Sequence, residues 1–98
     1  MTIEKKQNGN TLELKLTGRL DTMTAPELEA VLKETIDGME KLDLDFSGLE
    51  YLSSAGLRVL LTAQKIMNKQ GEMVIHNVND TIMEVFEVTG FVDILTIA

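Results

Sequence analysis

Ninety-eight residues, 44% of them hydrophobic and 26% charged, suit one soluble globular domain with a real core. A formal charge of −7 argues against nucleic acid and anionic membrane surfaces, and the lack of cysteine excludes disulfides, thiolate metal sites and cysteine nucleophiles. No apolar run approaches the roughly 20 residues that span a bilayer, and the opening MTIEKKQNGN lacks the apolar core of a signal peptide, so a cytoplasmic protein is expected.

Asn8-Gly9 is a hairpin signal that pairs a short edge strand around Thr2–Lys6 with Asn10–Thr17. In the latter, Leu12, Leu14 and Leu16 alternate with polar residues, as in a half-buried strand. A helix follows: Thr24 and Glu27 have capping-box spacing, Pro26 falls in the first turn, and Leu28, Val31, Leu32 and Ile36 recur at helical spacing before Asp37-Gly38. KLDLDF is a further alternating strand, with Leu42, Leu44 and Phe46 on one face. GEMVIHNV is a fourth strand, NDTIMEVFEVTG a capped helix stopped at Gly90 with Phe91 closing over it, and DILTIA a last short strand. The order β-β-α-β-α-β-α-β predicts an α/β fold: a mixed sheet of four to five strands with helices packed on it, in a single domain, 1–98. Leu42, Leu44, Leu60, Ala63, Met67, Val74, Val85 and Phe86 are the expected core.

The helix from Gly56 to Gln70 carries more leucine than one core face needs. At about 100° per residue, Gly56, Val59, Leu60, Ala63, Ile66 and Met67 gather into one stripe. Leu57 and Leu61 are then expected to project outward, with Ser54, Arg58 and Lys65, as a protein-binding patch.

In EYLSSAGLRVLL a serine at the helix start commonly caps it, accepting a hydrogen bond from a backbone N–H two or three residues on. The same position tolerates phosphate, because free N–H groups and the positive end of the helix dipole face it. Phosphorylation there would add nearly two negative charges to the surface without disturbing the fold. Other chemistry is sparse. His76, the only histidine, lies inside a strand and is read as structural. Asp43 and Asp45 share a strand face, with Asp21 at a nearby strand end; such carboxylates are a conceivable metal set, though solvated acids are far commoner. The six methionines are read as core filling, and no phosphate-cradling loop is present.

LTGRLDTMTAPELEAVL, LDLDFSGLEYLSSAGLRVLL and GEMVIHNVNDTIMEVFEVTGF together resemble the STAS-domain anti-anti-sigma factor family, in register over nearly the whole chain. The resemblance implies a non-enzymatic, cofactor-free protein of bacterial type. It binds an anti-sigma factor that is also a serine kinase and thereby frees a sigma factor. Phosphorylation by that kinase abolishes binding, and a PP2C-type phosphatase restores it. Aligned on Gly56-Leu57, the acceptor is Ser54. Ser53 stands where the family has Asp and is the second choice; Ala55 stands where it often has Ser or Thr. The implied partner-binding residues are Asp21, Ser53, Ser54, Gly56, Leu57, Arg58 and Leu61. Many relatives add a C-terminal helix against the sheet, so an uncovered apolar face favouring a partner or a weak dimer is expected. Two alternatives stand beside this reading: a STAS subunit of a transporter or lipid-export complex, and a small metal-dependent enzyme using Asp21, Asp43 and Asp45.

Overall fold

The computed structural model describes residues 1–98. β1 (Thr2–Asn8) runs antiparallel to β2 (Thr11–Leu20). β3 (Lys41–Leu52) and β4 (Glu72–His76) continue the sheet in parallel with β2, in the order β1-β2-β3-β4. Helices α1 (Ala25–Thr35) and α2 (Ser54–Gln70) are the crossovers between the parallel strands, and α3 (Asp80–Thr89) follows β4. Parallel crossovers are right-handed, and both step in the same direction across the sheet, so the helices stack on one face.

That face is where the apolar side chains point. Leu12, Leu14 and Leu16 of β2, Leu42, Leu44 and Phe46 of β3, and Met73 and Ile75 of β4 are all buried. They meet Leu28 and Leu32 of α1, Leu60, Ala63 and Met67 of α2, and Ile82 and Phe86 of α3 in one cluster. Phe46 and Phe86 hold their ring centroids 6.4 Å apart. Register shifts between Lys15 and Thr17 and between Gly18 and Arg19 reset the alternation, so that Leu49 and Leu52 turn inward beyond Phe46.

Several expectations need correction. DILTIA does not form a fifth strand. Phe91–Asp93 makes a single 3-10 turn and Leu95 is drawn into the core, leaving Ile97 to make one isolated bridge with Ile75. Val74 is half-buried on the opposite sheet face, because Met73 and Ile75 take the inward positions of β4; Val85 is also only half-buried, flanking the core. The uncovered sheet face is polar rather than apolar. It forms a shallow groove of about 510 Å³ lined by Glu4, Lys6, Glu13, Lys15, Asp43, Asp45 and His76 among others. There His76 Nε2 lies 3.0 Å from Asp43 Oδ1, and Lys41 sits between Asp43 and Glu72 at 4.0 and 3.9 Å. The Asn77 side chain donates to Asp45 Oδ1 at 3.0 Å, from a backbone with φ +60. This bond foremost, with the Ser47 N–H and the charge of Lys15, outweighs partial desolvation and holds the Asp45 carboxyl below its ordinary range.

The other correction concerns α2. Leu57 is only 6% exposed and belongs to the core, not to an outward patch. Taking Gly56 as zero, the buried positions run from Val59 to Leu57 over an arc of about 160°. The stripe read from the sequence covered only part of it. α1 packs along the Val59 and Ile66 shoulder, with a small apolar groove between the two helices, while Leu57 and the buried Gln64 occupy the other shoulder. Leu61 lies about 40° beyond Leu57 and is half-buried, outside the core cluster. The outward line of α2 is Ser54, Arg58, Thr62 and Lys65, all exposed.

Leu57→Ala should therefore lower the free energy of unfolding by about 2–4 kcal/mol, and Leu61→Ala by less than about 1 kcal/mol, in urea denaturation. Because the folded pKa of Asp45 is depressed, its contribution is complete above the ordinary value of 3.8 and is lost as pH falls through the lower folded value. Asn77→Gly keeps the positive φ but deletes the main donor. It should move the Asp45 titration, followed by carboxyl NMR, up toward its ordinary range and shift acid unfolding to higher pH.

Candidate functional site

β2 and β3 end side by side, Leu20 opposite Leu52, and two connections leave from that edge: 21–24 into α1 and Ser53 into α2. The carboxyl ends of parallel strands are where open α/β sheets ordinarily place their sites. The two connections are tied together, since Ser53 N donates to the Leu20 carbonyl at 2.9 Å.

Gly56 brings α2 down onto this edge. A Cβ at Gly56 would lie 2.6 Å from Leu52 Cδ1 and 2.7 Å from Leu20 Cγ, so any larger residue would lift the first turn off the strand ends. The first intrahelical bond runs from Leu57 N to Ser53 O at 3.0 Å. The N–H groups of Ser54, Ala55 and Gly56 precede it, and the first turn holds no acidic side chain to occupy them. Neither serine caps the helix. Ser53 stands at the N-cap position with extended backbone but makes no capping bond, and its hydroxyl is buried without a partner. Ser54 is the first helical residue and is exposed, on one line with Arg58 and the half-buried Leu61.

The 21–24 connection is built around Asp21. Its Oδ1 accepts from Met23 N at 3.0 Å and Thr24 N at 3.2 Å, with the Thr24 hydroxyl oxygen also 3.2 Å away, and its Oδ2 lies 3.6 Å from Arg19 Nε. Slight desolvation pushes this carboxyl up, but the Thr24 and Met23 hydrogen bonds and the Arg19 charge prevail and hold it below its ordinary range. Thr24 makes no capping bond with α1. Its hydroxyl donates back to the Arg19 carbonyl at 2.7 Å and accepts from Asp21 N at 2.9 Å, which closes the turn on the strand end.

The structure thus brings Asp21, Ser53, Ser54 and Gly56 to one edge, with Arg58 and Leu61 continuing along α2. It removes Leu57 from the surface. It also separates the three aspartates proposed as a metal set: Asp43 and Asp45 pair with Glu13 and Lys15 in the middle of the sheet, about 20–26 Å along β2 from Asp21. Three residues missed in the sequence belong to the edge. Met23 is 84% exposed in the 21–24 turn. Tyr51 is 40% exposed, and the Arg19 guanidinium lies 4.1 Å over its ring. The signals were a methionine alone among polar turn residues, and a tyrosine at an outward position of a strand that otherwise ends in leucines. Met, Tyr and Arg are among the side chains enriched at protein interfaces.

The family model described as "Mlab, STAS domain" matches residues 3–96. BtrV of Bordetella bronchiseptica, which carries an anti-sigma factor antagonist name, is 41% identical over 85 residues, covering 85% of this chain and 73% of its own length. The anti-sigma-B factor antagonist of Staphylococcus aureus is 33% identical over 97 residues, covering 97% of this chain and 90% of that protein. Among solved structures, the anti-sigma factor antagonist SpoIIAA superimposes in its unphosphorylated form with a TM-score of 0.78 at 17% identity, over 99% of this chain and 87% of SpoIIAA. Its phosphorylated form gives 0.77 at 19%, over 99% and 91%. With the family model spanning nearly every residue, and the sheet and helices superimposing on those of SpoIIAA, this chain belongs to the STAS-domain family.

Proposed function

We propose that this protein is an anti-sigma factor antagonist switched by phosphorylation of Ser54, forming one domain over 1–98. The observation that carries the reading is the exposed Ser54 hydroxyl at the open N-terminus of α2, beside a buried Ser53 hydroxyl. A kinase can reach the first and not the second without unwinding the turn. The antagonist names of the Bordetella and Staphylococcus relatives support the output.

In this mechanism the unphosphorylated protein docks on an anti-sigma factor that is also a serine kinase, and the sigma factor is released. The docking surface comprises Ser54, Arg58 and Leu61 of α2 with Met23, Tyr51 and Arg19 from the adjoining strand ends. Asp21 shapes the 21–24 turn that presents Met23. The kinase transfers the γ-phosphoryl group of ATP to Ser54 Oγ, leaving ADP and a phosphoserine. The phosphate is held without strain, since the N–H groups of the first turn and the helix dipole face it. Nearly two added charges on the docking surface then oppose its desolvation, and the complex dissociates. A PP2C-type phosphatase hydrolyses the ester and restores docking. No helix is long and apolar enough to cross a membrane, and the protein itself performs no catalysis in this scheme.

With the cognate kinase and ATP, mass spectrometry should place the phosphate on Ser54, and Ser54→Ala should accept none. Phosphate on Ser53 alone would refute the assignment. By calorimetry, Leu61→Ala and Met23→Ala should each weaken kinase binding by about 5- to 150-fold, equivalent to about 1–3 kcal/mol, with melting temperatures near wild type. Ser54→Asp should weaken binding less than the phosphate does, because it carries less charge and fewer acceptor oxygens. Capture of a transporter ATPase in place of a kinase, unaffected by Ser54→Asp, would favour the transporter-subunit reading.

A further inference from the structure

We propose that two copies of this chain pair edge to edge through β1, antiparallel and centred on Lys5, to make one continuous sheet. β1 is the open edge. On the far side, Ile75 of β4 already exchanges hydrogen bonds with the terminal segment, through Ile75 N to Thr96 O at 2.9 Å and Ala98 N to Ile75 O at 3.0 Å. β1 by contrast is exposed along almost its whole length and carries no proline. An uncovered, regular edge of this kind offers a row of unpaired backbone groups.

The hairpin fixes which groups those are. Gly9 has φ +62 and Asn10 does not have a positive φ, so the turn is the two-residue type in which the flanking residues, Asn8 and Thr11, form a hydrogen-bonded pair. Alternation from Asn8 turns the backbone groups of Thr2, Glu4 and Lys6 toward β2, and those of Ile3, Lys5 and Gln7 toward the free edge. A two-fold axis at Lys5 pairs Lys5 with its own copy and Ile3 with Gln7 of the other, for about six backbone hydrogen bonds. Centring the axis on Ile3 or Gln7 instead would leave half of the strand unpaired.

The same register decides the side chains. Glu4 of each copy falls opposite Lys6 of the other, in the closely spaced, non-hydrogen-bonded positions where cross-strand pairs interact most. Lysine on an edge strand ordinarily discourages pairing. Here Glu4, two residues before Lys6, turns that deterrent into a match with a second copy. Lys5 faces Lys5 only across the wider pair, where both long side chains can splay into water. Overall charge also favours this approach. Residues 1–20 hold four of the nine Lys and Arg but only two of the sixteen Asp and Glu, so two molecules of charge −7 repel least at this hairpin.

Sedimentation velocity from micromolar to millimolar protein tests the pairing, with hydrogen exchange as a residue-level readout. Wild type should associate with rising concentration, and the amides of Ile3, Lys5 and Gln7 should gain protection as it does. Glu4→Lys or Lys6→Glu alone should weaken association about tenfold or more, and the two together should recover most of it. Lys5→Pro should abolish association while leaving circular dichroism and the melting curve near wild type, because its N–H points away from β2. A wild type that stays monomeric throughout would overturn the proposal. So would association that survives Lys5→Pro, or a double charge swap no better than either single change.

Discussion

The closeness of α2 to the ends of β2 and β3 governs the rest of this molecule. Gly56 is the residue that permits it, lying against Leu20 and Leu52 with no space for a Cβ. Because the helix starts so low, Ser53 N reaches the Leu20 carbonyl, the two connections become one edge, and Ser54 emerges as the first exposed helical residue. The buried arc of α2 widens for the same reason. A helix pressed into the angle between the sheet and its neighbours is covered on both shoulders, so Leu57 and Gln64 are buried beside the central stripe. An alanine at position 56 would gain helix propensity of about 1 kcal/mol but would lose this seat, and the exposed placement of Ser54 with it.

This arrangement separates the core from the proposed docking edge. The core draws on the helix-covered face of the sheet, where a single cluster joins all three helices to β2, β3 and β4. The proposed docking edge lies beyond the last inward leucines, and its charged groups are paired locally: Asp21 with Met23 and Thr24, and Arg19 with Tyr51 and Asp21. A charge arriving at Ser54 meets free N–H groups rather than packed carbon. The opposite sheet face, with its lattice of Lys41, Asp43, Glu72 and His76, is solvated and has no demand on the core. In the proposed switch, phosphate on Ser54 would rewrite the docking surface while the fold stays as it is.

Much of this was legible in the residues. Alternating leucines in TLELKLTG and KLDLDF gave strands whose inward side chains are those expected, and Gly90 ends α3 in a left-handed conformation with Phe91 packed beside it. The misreadings share one physical origin: tertiary contacts that local period cannot carry. Leu57 was placed outward because a helical stripe reports the face toward one neighbour, not two. Val74 is expected in the core because Met73, Val74 and Ile75 form a continuous apolar run, and only the pairing of β4 with β3 decides which of them are covered. Thr24 has capping-box spacing, yet its hydroxyl is claimed by Arg19 and Asp21. Tyr51 and Met23 had no periodic signal at all, since an edge surface is assembled from the ends of separate elements.

The central claim is that phosphate on Ser54 changes the surface and leaves the structure alone. Backbone amide NMR spectra of the unphosphorylated and Ser54-phosphorylated protein test it most directly. Large shifts are expected for Ser54, Ala55 and Gly56, whose N–H groups would face the phosphate, with smaller ones across 21–24 and around Tyr51, and unchanged resonances for Leu44, Leu60 and Phe86. Shifts of comparable size spreading through those core residues would contradict it, because the switch would then act by repacking the domain.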